Sequence, residues 1–382
     1  MNKLFQNNDL QDTYKIIDKN ILYNKKTFSG YKKNSVFNEL NNCLLDNRIE
    51  NACYWASEIH CSGFTNLLWE KIIIFTSKFI NINNPLLPKY IHQKYKEYQE
   101  LTKKCQTKNY IELRNNLESR RQICEIIIIL CLSKKINIPK IPKIYNNDFD
   151  IVNIQNKLQA KNTHILDKIF KRNDPLELRI PINELIFNIK NRNLNTSIYW
   201  LTWVIEYDKK ISKKEKLCCN VRNIENIEDK YKTDVSWLIW NAIFSCCDNN
   251  TFYIEQIKYL YQIYKINFTK SKKNSRISLL IHSILLIVEK VDNTIPLKNR
   301  EDIIMSACNN INFVYQRLQN SKIEDSNMIN IQTETEKDNK EKNKDNLTEK
   351  ILKEKKKNKS NISENSQQKL DAIMNITNII CN

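Results

Sequence analysis

Asn47-Arg48-Ile49-Glu50-Asn51-Ala52-Cys53-Tyr54-Trp55 and Asn191-Arg192-Asn193-Leu194-Asn195-Thr196-Ser197-Ile198-Tyr199-Trp200 read as two versions of one phrase, an Asn-Arg start, a short run and a Tyr-Trp pair. The second is one residue longer. Trp69 follows the first pair, and Trp203, Trp237 and Trp240 follow the second, which accounts for all six tryptophans. A phrase used twice points to a structural unit used twice, and internal repetition constrains a fold more than any single residue does. Aromatic side chains at helical spacing are packing residues first. Tyr54, Trp55, Trp69, Tyr199, Trp200, Trp237 and Trp240 are therefore expected in the core rather than on a base-stacking surface.

Working outward from these phrases, composition narrows the fold class. The chain has 382 residues, 41% of them hydrophobic, enough for one to three domains with sizeable cores. It has two glycines, Gly30 and Gly63, and seven prolines. Most β folds and phosphate-cradling loops need glycine for positive-φ turns or close backbone approach, whereas helical bundles do not. The expectation is an all-α protein built as two related multi-helix halves. With so few glycines a Walker loop and a Rossmann fingerprint cannot be written, and neither a Gly-x-Ser-x-Gly elbow nor a His-Glu-x-x-His pair is present. His60, His92, His164 and His282 are isolated in sequence. No enzyme activity and no cofactor are expected; an active site would have to be assembled across the fold, from groups such as His60, His92, Glu58 and Glu206.

The helical periodicity can be followed along the chain. Residues 1–34 read as a basic arm with a short helix near 10–22. Ser35 reads as an N-cap, with Val36, Phe37, Leu40, Cys43 and Leu44 spaced for one helix face. A second helix carries Trp55 and stops at Ser62-Gly63, glycine being a common C-terminal stop. Further helices are expected over 66–79, from Pro88 onward and over 113–134, completing a domain over 35–135. Pro139 and Pro142 mark 136–150 as a linker. The second domain, 151–320, has helices near 182–190, at Tyr199-Trp200, and over 235–246, 252–264, 277–290 and 303–319, interrupted by a charged insertion at 209–232. Residues 321–365 are Lys, Glu, Asn and Asp with few large apolar groups, a composition expected to be disordered. In 366–382, Leu370, Ile373, Met374, Ile376, Ile379 and Ile380 form an apolar helix face that either docks on a partner protein or packs back on the body.

The formal net charge is +18, and most of the excess lies in the helical body. A basic folded surface raises the prospect of a nucleic-acid or other anionic partner. Two clusters stand out: Lys209, Lys210, Lys213, Lys214 and Lys216 with Arg222, and Lys270, Lys272, Lys273 and Arg276 ahead of an apolar helix. Cations at a helix N-terminus oppose its dipole, so the second cluster is not placed for helix stability. Either the clusters touch phosphates, sequence-independently and salt-sensitively, or they are solvated loops in a chain rich in the A/T-coded residues Asn, Ile and Lys.

Twelve cysteines and a polar Met1–Asn20 stretch fit a reducing compartment with free thiols and no secretory leader. The vicinal pairs Cys218-Cys219 and Cys246-Cys247 lack the usual Cys-x2-Cys spacing, and no metal is expected. The longest apolar runs, 123–132 and 277–288, fall short of the roughly 20 residues that span a bilayer. No membrane partner is expected.

One segment carries a resemblance. Ala52-Cys53-Tyr54-Trp55-Ala56-Ser57-Glu58, Ser62-Gly63, Trp69-Glu70, Phe75-Thr76-Ser77-Lys78 and Asn84-Pro85 resemble the C-terminal helical collar of RarA/MgsA-type clamp-loader-like ATPases, without their ATPase modules. That resemblance implies an all-α oligomerisation or docking fold with replication proteins as partners. More broadly, Trp69-Glu70, Glu206, Trp237-Leu238-Ile239-Trp240, Glu289-Lys290-Val291-Asp292 and Lys369-Leu370-Asp371, with both Tyr-Trp pairs, are similar to a group of helical proteins of large DNA viruses of protists. The resemblance implies an intracellular site, in host cytoplasm or viral factory, or a place in the virion. The expected function is a non-enzymatic scaffold or adaptor in viral DNA replication or genome handling; the alternative is a virion structural or assembly protein acting through protein contacts.

Overall fold

The computed structural model describes residues 14–20, 23–105, 110–213, 217–247 and 251–342. Among them the protein is helical, with no strand and one isolated antiparallel bridge between Lys26 and Lys32. The first half runs α1 (Lys33–Leu45), α2 (Ile49–Cys61), α3 (Thr65–Phe75), α4 (Leu87–Lys104), α5 (Tyr110–Asn115) and α6 (Leu117–Leu132). After the five-residue α7 (Ile151–Gln155), the second half repeats that order with α8 (Arg179–Lys190), α9 (Leu194–Ile211), α10 (Val235–Phe244), α11 (Thr251–Lys265), α12 (Lys270–Ser275) and α13 (Ile277–Val288). In each half a long amphipathic helix leads through a six-residue helix to an apolar one.

The repeated phrase encodes a helix-turn-helix corner. Helix α1 ends when Asn47 adopts φ 58°, and the Arg48 N–H donates to the Cys43 carbonyl at 2.9 Å. Helix α8 ends when Arg192 adopts φ 57°, and the Asn193 N–H donates to the Asn188 carbonyl at 2.9 Å. Both are Schellman closures, in which a left-handed residue lets the chain satisfy a terminal helix carbonyl. The structure thus pairs Asn47 with Arg192, and it starts α2 at Ile49 and α9 at Leu194. Counted from those starts, Trp55 and Trp200 hold the same position, and the extra residue of the second phrase disappears. Gly63, at φ 77°, closes α2 in the same way, with the Phe64 N–H on the Ile59 carbonyl at 3.1 Å. An L side chain in this conformation costs about 1–2 kcal/mol. Gly63→Ala is therefore expected to lower unfolding free energy by that amount in urea titration; an unchanged midpoint would contradict the left-handed closure.

All six tryptophans are buried, while Tyr54 and Tyr199 lie half-buried against the same core. Trp203 and Trp237 donate their indole N–H to the carbonyls of Asp148 (2.9 Å) and Tyr231 (2.7 Å). The halves meet along α4 and α11, where Lys89 pairs with Glu255 at 3.0 Å and His92 packs on Tyr259 with centroids 5.2 Å apart. They meet again where α13 crosses the π turn at Thr76–Ile80 that extends α3. Helix α14 (Glu301–Lys342) follows the second half in sequence but lies on α6 and α2 of the first. It buries Ile304, Ile311, Tyr315 and Leu318 there. Segment 14–20 is clasped beside it, through Ile16 on Asn115 and the Ile17 N–H on Gln319.

Several local expectations change. Residues 14–20 are not helical, because their backbone groups bond to Asn115, Arg120 and Gln319 rather than to one another; 10–13 and 21–22 lie outside the described residues. Helix α1 starts at Lys33, not Ser35, and Lys32 in its N-cap position makes no side-chain cap. The helix expected over 113–134 is broken at Asn116, whose side chain caps α6 by accepting from the Ser119 N–H at 2.8 Å. Helix α14 extends to Lys342, into the stretch expected to be disordered; 343–382, with the apolar face from Leu370 to Ile380, lies outside the described residues.

Candidate nucleic-acid interface

The two basic clusters lie far apart in sequence, yet the fold joins them through a buried lysine. Lys273 on α12 is 2% exposed and reaches Asp208 near the end of α9 at 2.6 Å and Asp234 at 2.9 Å. Burial works against its charge, and the two carboxylates outweigh burial, holding the ammonium above its usual range. Asp234 also caps α10, accepting from the Ser236 N–H at 2.9 Å. One ion triad therefore fastens α12 to the C-terminal end of α9 and to the start of α10.

Three of the ten candidate cations serve this interior rather than the surface. Lys273 is the first. Arg276, fully buried, forks onto Glu70 of α3 at 2.8 and 2.5 Å and donates to the carbonyls of Tyr264 (2.8 Å) and Ile266 (2.7 Å). Arg222, 4% exposed, forks onto Asp174 at 2.9 and 2.8 Å and so pins the insertion to the segment before α8. Burial alone would raise the Asp174 carboxyl; the Arg222 fork and two backbone N–H donors hold it below the usual range. These arginines and Lys273 present no charge to a phosphate in solution, because a carboxylate already faces each one inside the fold. Lys272 is half-buried, 3.5 Å from Glu70. Lys214 and Lys216 lie outside the described residues.

Of the remaining four, Lys210, Lys213 and Lys270 are exposed and Lys209 lines a surface groove. The groove has a volume of about 490 Å³ and runs between the 141–145 segment, α9 and the α12–α13 junction. Lys143, Tyr145, Glu206, Lys209 and Asn274 form its polar wall, over Ile144, Ile205 and Ile277. Lys209 pairs with Glu206 at 2.6 Å. Exposed Lys213 lies just past the end of α9, and exposed Lys270 lies one turn before Asn274 on α12. Exposed Lys210 rests its ammonium 4.4 Å from the Phe149 ring centroid. Lys143 and Tyr145, the latter 62% exposed, escaped sequence reading because they fall in a segment that reads as linker. The available signal was a tyrosine near two lysines, Lys140 and Lys143, in a proline-marked stretch.

The other polar groups are dispersed. His60 shares its ring nitrogens with Tyr315 Oη (2.6 Å) and Ser119 Oγ (3.2 Å), Glu58 accepts from the Ser29 N–H and hydroxyl, and Glu206 stands in the groove. His164 is exposed beside Asp167. Among the described residues no group of three or more His, Cys, Asp or Glu is placed to hold a metal ion, and no helix is long and apolar enough to cross a membrane. No protein-family model, curated protein or solved structure matches the chain.

Proposed function

We propose that this protein is a non-enzymatic helical scaffold that holds nucleic acid by its phosphates along the α9–α12 groove, in viral DNA replication or genome handling. The observation that carries the reading is convergence: Lys209 and Lys143 line one groove with Asn274 of α12, the helix that also carries exposed Lys270, and exposed Lys210 and Lys213 follow Lys209 closely in the chain. Tyr145 at the groove's mouth offers a ring on which an unpaired base can stack, an interaction worth about 1–3 kcal/mol per base. Glu206 tempers the site by pairing with Lys209. The net charge of +18 adds attraction over the whole body.

A salt-titrated binding assay with single- and double-stranded DNA tests this. Binding is expected to weaken steeply with salt. Replacing Lys143, Lys209, Lys213 and Lys270 together by glutamate is expected to reduce the slope of log K against log salt by about one for each phosphate no longer neutralised. Tyr145→Ala should weaken single-strand binding more than duplex binding. Absence of binding at low salt, or an unaltered slope in the quadruple variant, would refute the proposal.

A further inference from the structure

Three cysteines from three helices meet where α14 lies on the first half. Cys53 Sγ on α2 and Cys124 Sγ on α6 are 3.9 Å apart, and both are buried. Cys308 on α14 has its sulfur 3.7 Å from the Arg121 carbonyl oxygen. Cys124 stands one turn further along that face of α6, so the Cys308 sulfur lies over the turn of α6 that leads to Cys124. Cys308 is half-buried, so the three sulfurs lead from the surface into the core.

We propose that Cys308 is a peroxide-reactive thiol resolved by Cys124, giving a disulfide that ties α14 to α6, with Cys53 able to receive the bond in turn. The Cys308 thiolate attacks hydrogen peroxide, the O–O bond breaks, hydroxide leaves, and Cys308 becomes a sulfenic acid. Cys124 gives up its proton and attacks that sulfur, and the sulfenic hydroxyl leaves as water. Two thiols and one hydrogen peroxide thus yield one disulfide and two waters. Attack of the Cys53 thiolate on Cys124 then releases the Cys308 thiolate and moves the disulfide between α2 and α6.

The surroundings suit these roles. The Cys124 side chain lowers the Cys308 thiol, with Arg121 and Lys298 helping and burial and Glu125 opposing. The Cys308 side chain, with Cys53 and burial, raises Cys124. Thiolate character together with exposure selects the sulfur that oxidises first. A disulfide of about 2 Å requires the sulfurs to close in, which asks for χ1 rotation on helices already packed together. Oxidation would fasten α14, whose Tyr315 and Leu318 fill the first half, to its support.

Peptide mapping of the full chain tests the idea. The protein is treated with dilute hydrogen peroxide, alkylated and digested with trypsin without reduction. The expected product links peptides 122–134 and 301–317 through Cys124 and Cys308, is reversed by dithiothreitol and is missing in C308S. Exposed Cys218 is the internal reference, and Cys308 should be consumed about tenfold faster. The proposal fails if Cys308 proceeds to an unlinked sulfinic acid, if it reacts no faster than Cys218, or if C308S leaves the Cys124 linkage in place.

Discussion

Between pH 6.5 and 4.5 the folded state is expected to lose stability on the order of 5 kcal/mol through two histidines alone. His60 is 1% exposed and His282 is fully buried. Burial pushes both down to about 3, aided for His60 by the nearby charges of Arg120 and Arg114. In the unfolded chain each takes up a proton near 6.5. Their contribution is therefore fully present above 6.5 and is lost as pH falls toward 3, at about 1.4 kcal/mol per pH unit for each histidine. His282 is the cleaner case: its Nδ1 lies 3.4 Å from Ser77 Oγ, and its Nε2 is buried without a partner. Below pH 5 other groups join. Glu70 and Asp174, held low by arginine forks, deepen the loss, while Glu58, raised by burial, opposes it by binding its proton more readily when folded. Urea titrations at half-unit pH steps should show the decline, and His282→Met should roughly halve its slope above pH 5. A flat profile between 6.5 and 5, or one unmoved by His282→Met, would contradict the burial of these rings.

The second large effect is expected at Arg276. This side chain joins three elements: its fork holds Glu70 of α3, its other nitrogen ties the last carbonyls of α11, and its backbone begins α13. Burial alone would raise the Glu70 carboxyl, and the hydrogen bonds and charge of Arg276, with Lys272, hold it below the usual range instead. Removing Arg276 leaves half-buried Glu70 with Lys272, 3.5 Å away, as its remaining cation and frees the carbonyls of Tyr264 and Ile266, at a cost near the lower end of the range of about 3–5 kcal/mol for breaking a buried pair. Arg276→Met is expected to destabilise by that amount, and Arg276→Lys should rescue little, because an ammonium cannot reproduce the planar fork. The double change Arg276→Met with Glu70→Leu should recover part of the loss, since no half-buried carboxylate then remains without its guanidinium partner. Equal stability of Arg276→Met and the parent in urea would show that the pair does not hold the halves together.

Sequence reading reaches its limit where distant partners decide the outcome. The helices were legible wherever apolar residues recur at i, i+3 and i+4, as in Val36, Phe37, Leu40, Cys43 and Leu44, all of which are buried. The glycine stop at Gly63 was legible because its φ of 77° has a local cause. The non-helical 14–20 was not, since residues far away in sequence set it, and the Asn116 cap was hidden inside an otherwise continuous helical pattern. The basic clusters were misjudged in part for the same reason. A run such as Lys272-Lys273 shows two like charges; it does not show that Asp208 and Asp234 await one of them.

By itself, the sequence determined what is local: scarce glycine and helical periodicity select an all-α chain, and a recurring Asn-rich corner before Tyr-Trp sets one helical hairpin twice. The physical reason is that helix propensity, the face a residue occupies and a left-handed stop all depend on neighbours within a few positions. Tertiary structure alone decided which lysines are solvated and which are buried partners of carboxylates, that α14 covers the first half, and that Cys53, Cys124 and Cys308 converge. Those outcomes depend on pairs separated by many tens of residues, and the energy of a buried charge or thiol is set by what packs against it rather than by what adjoins it in the chain.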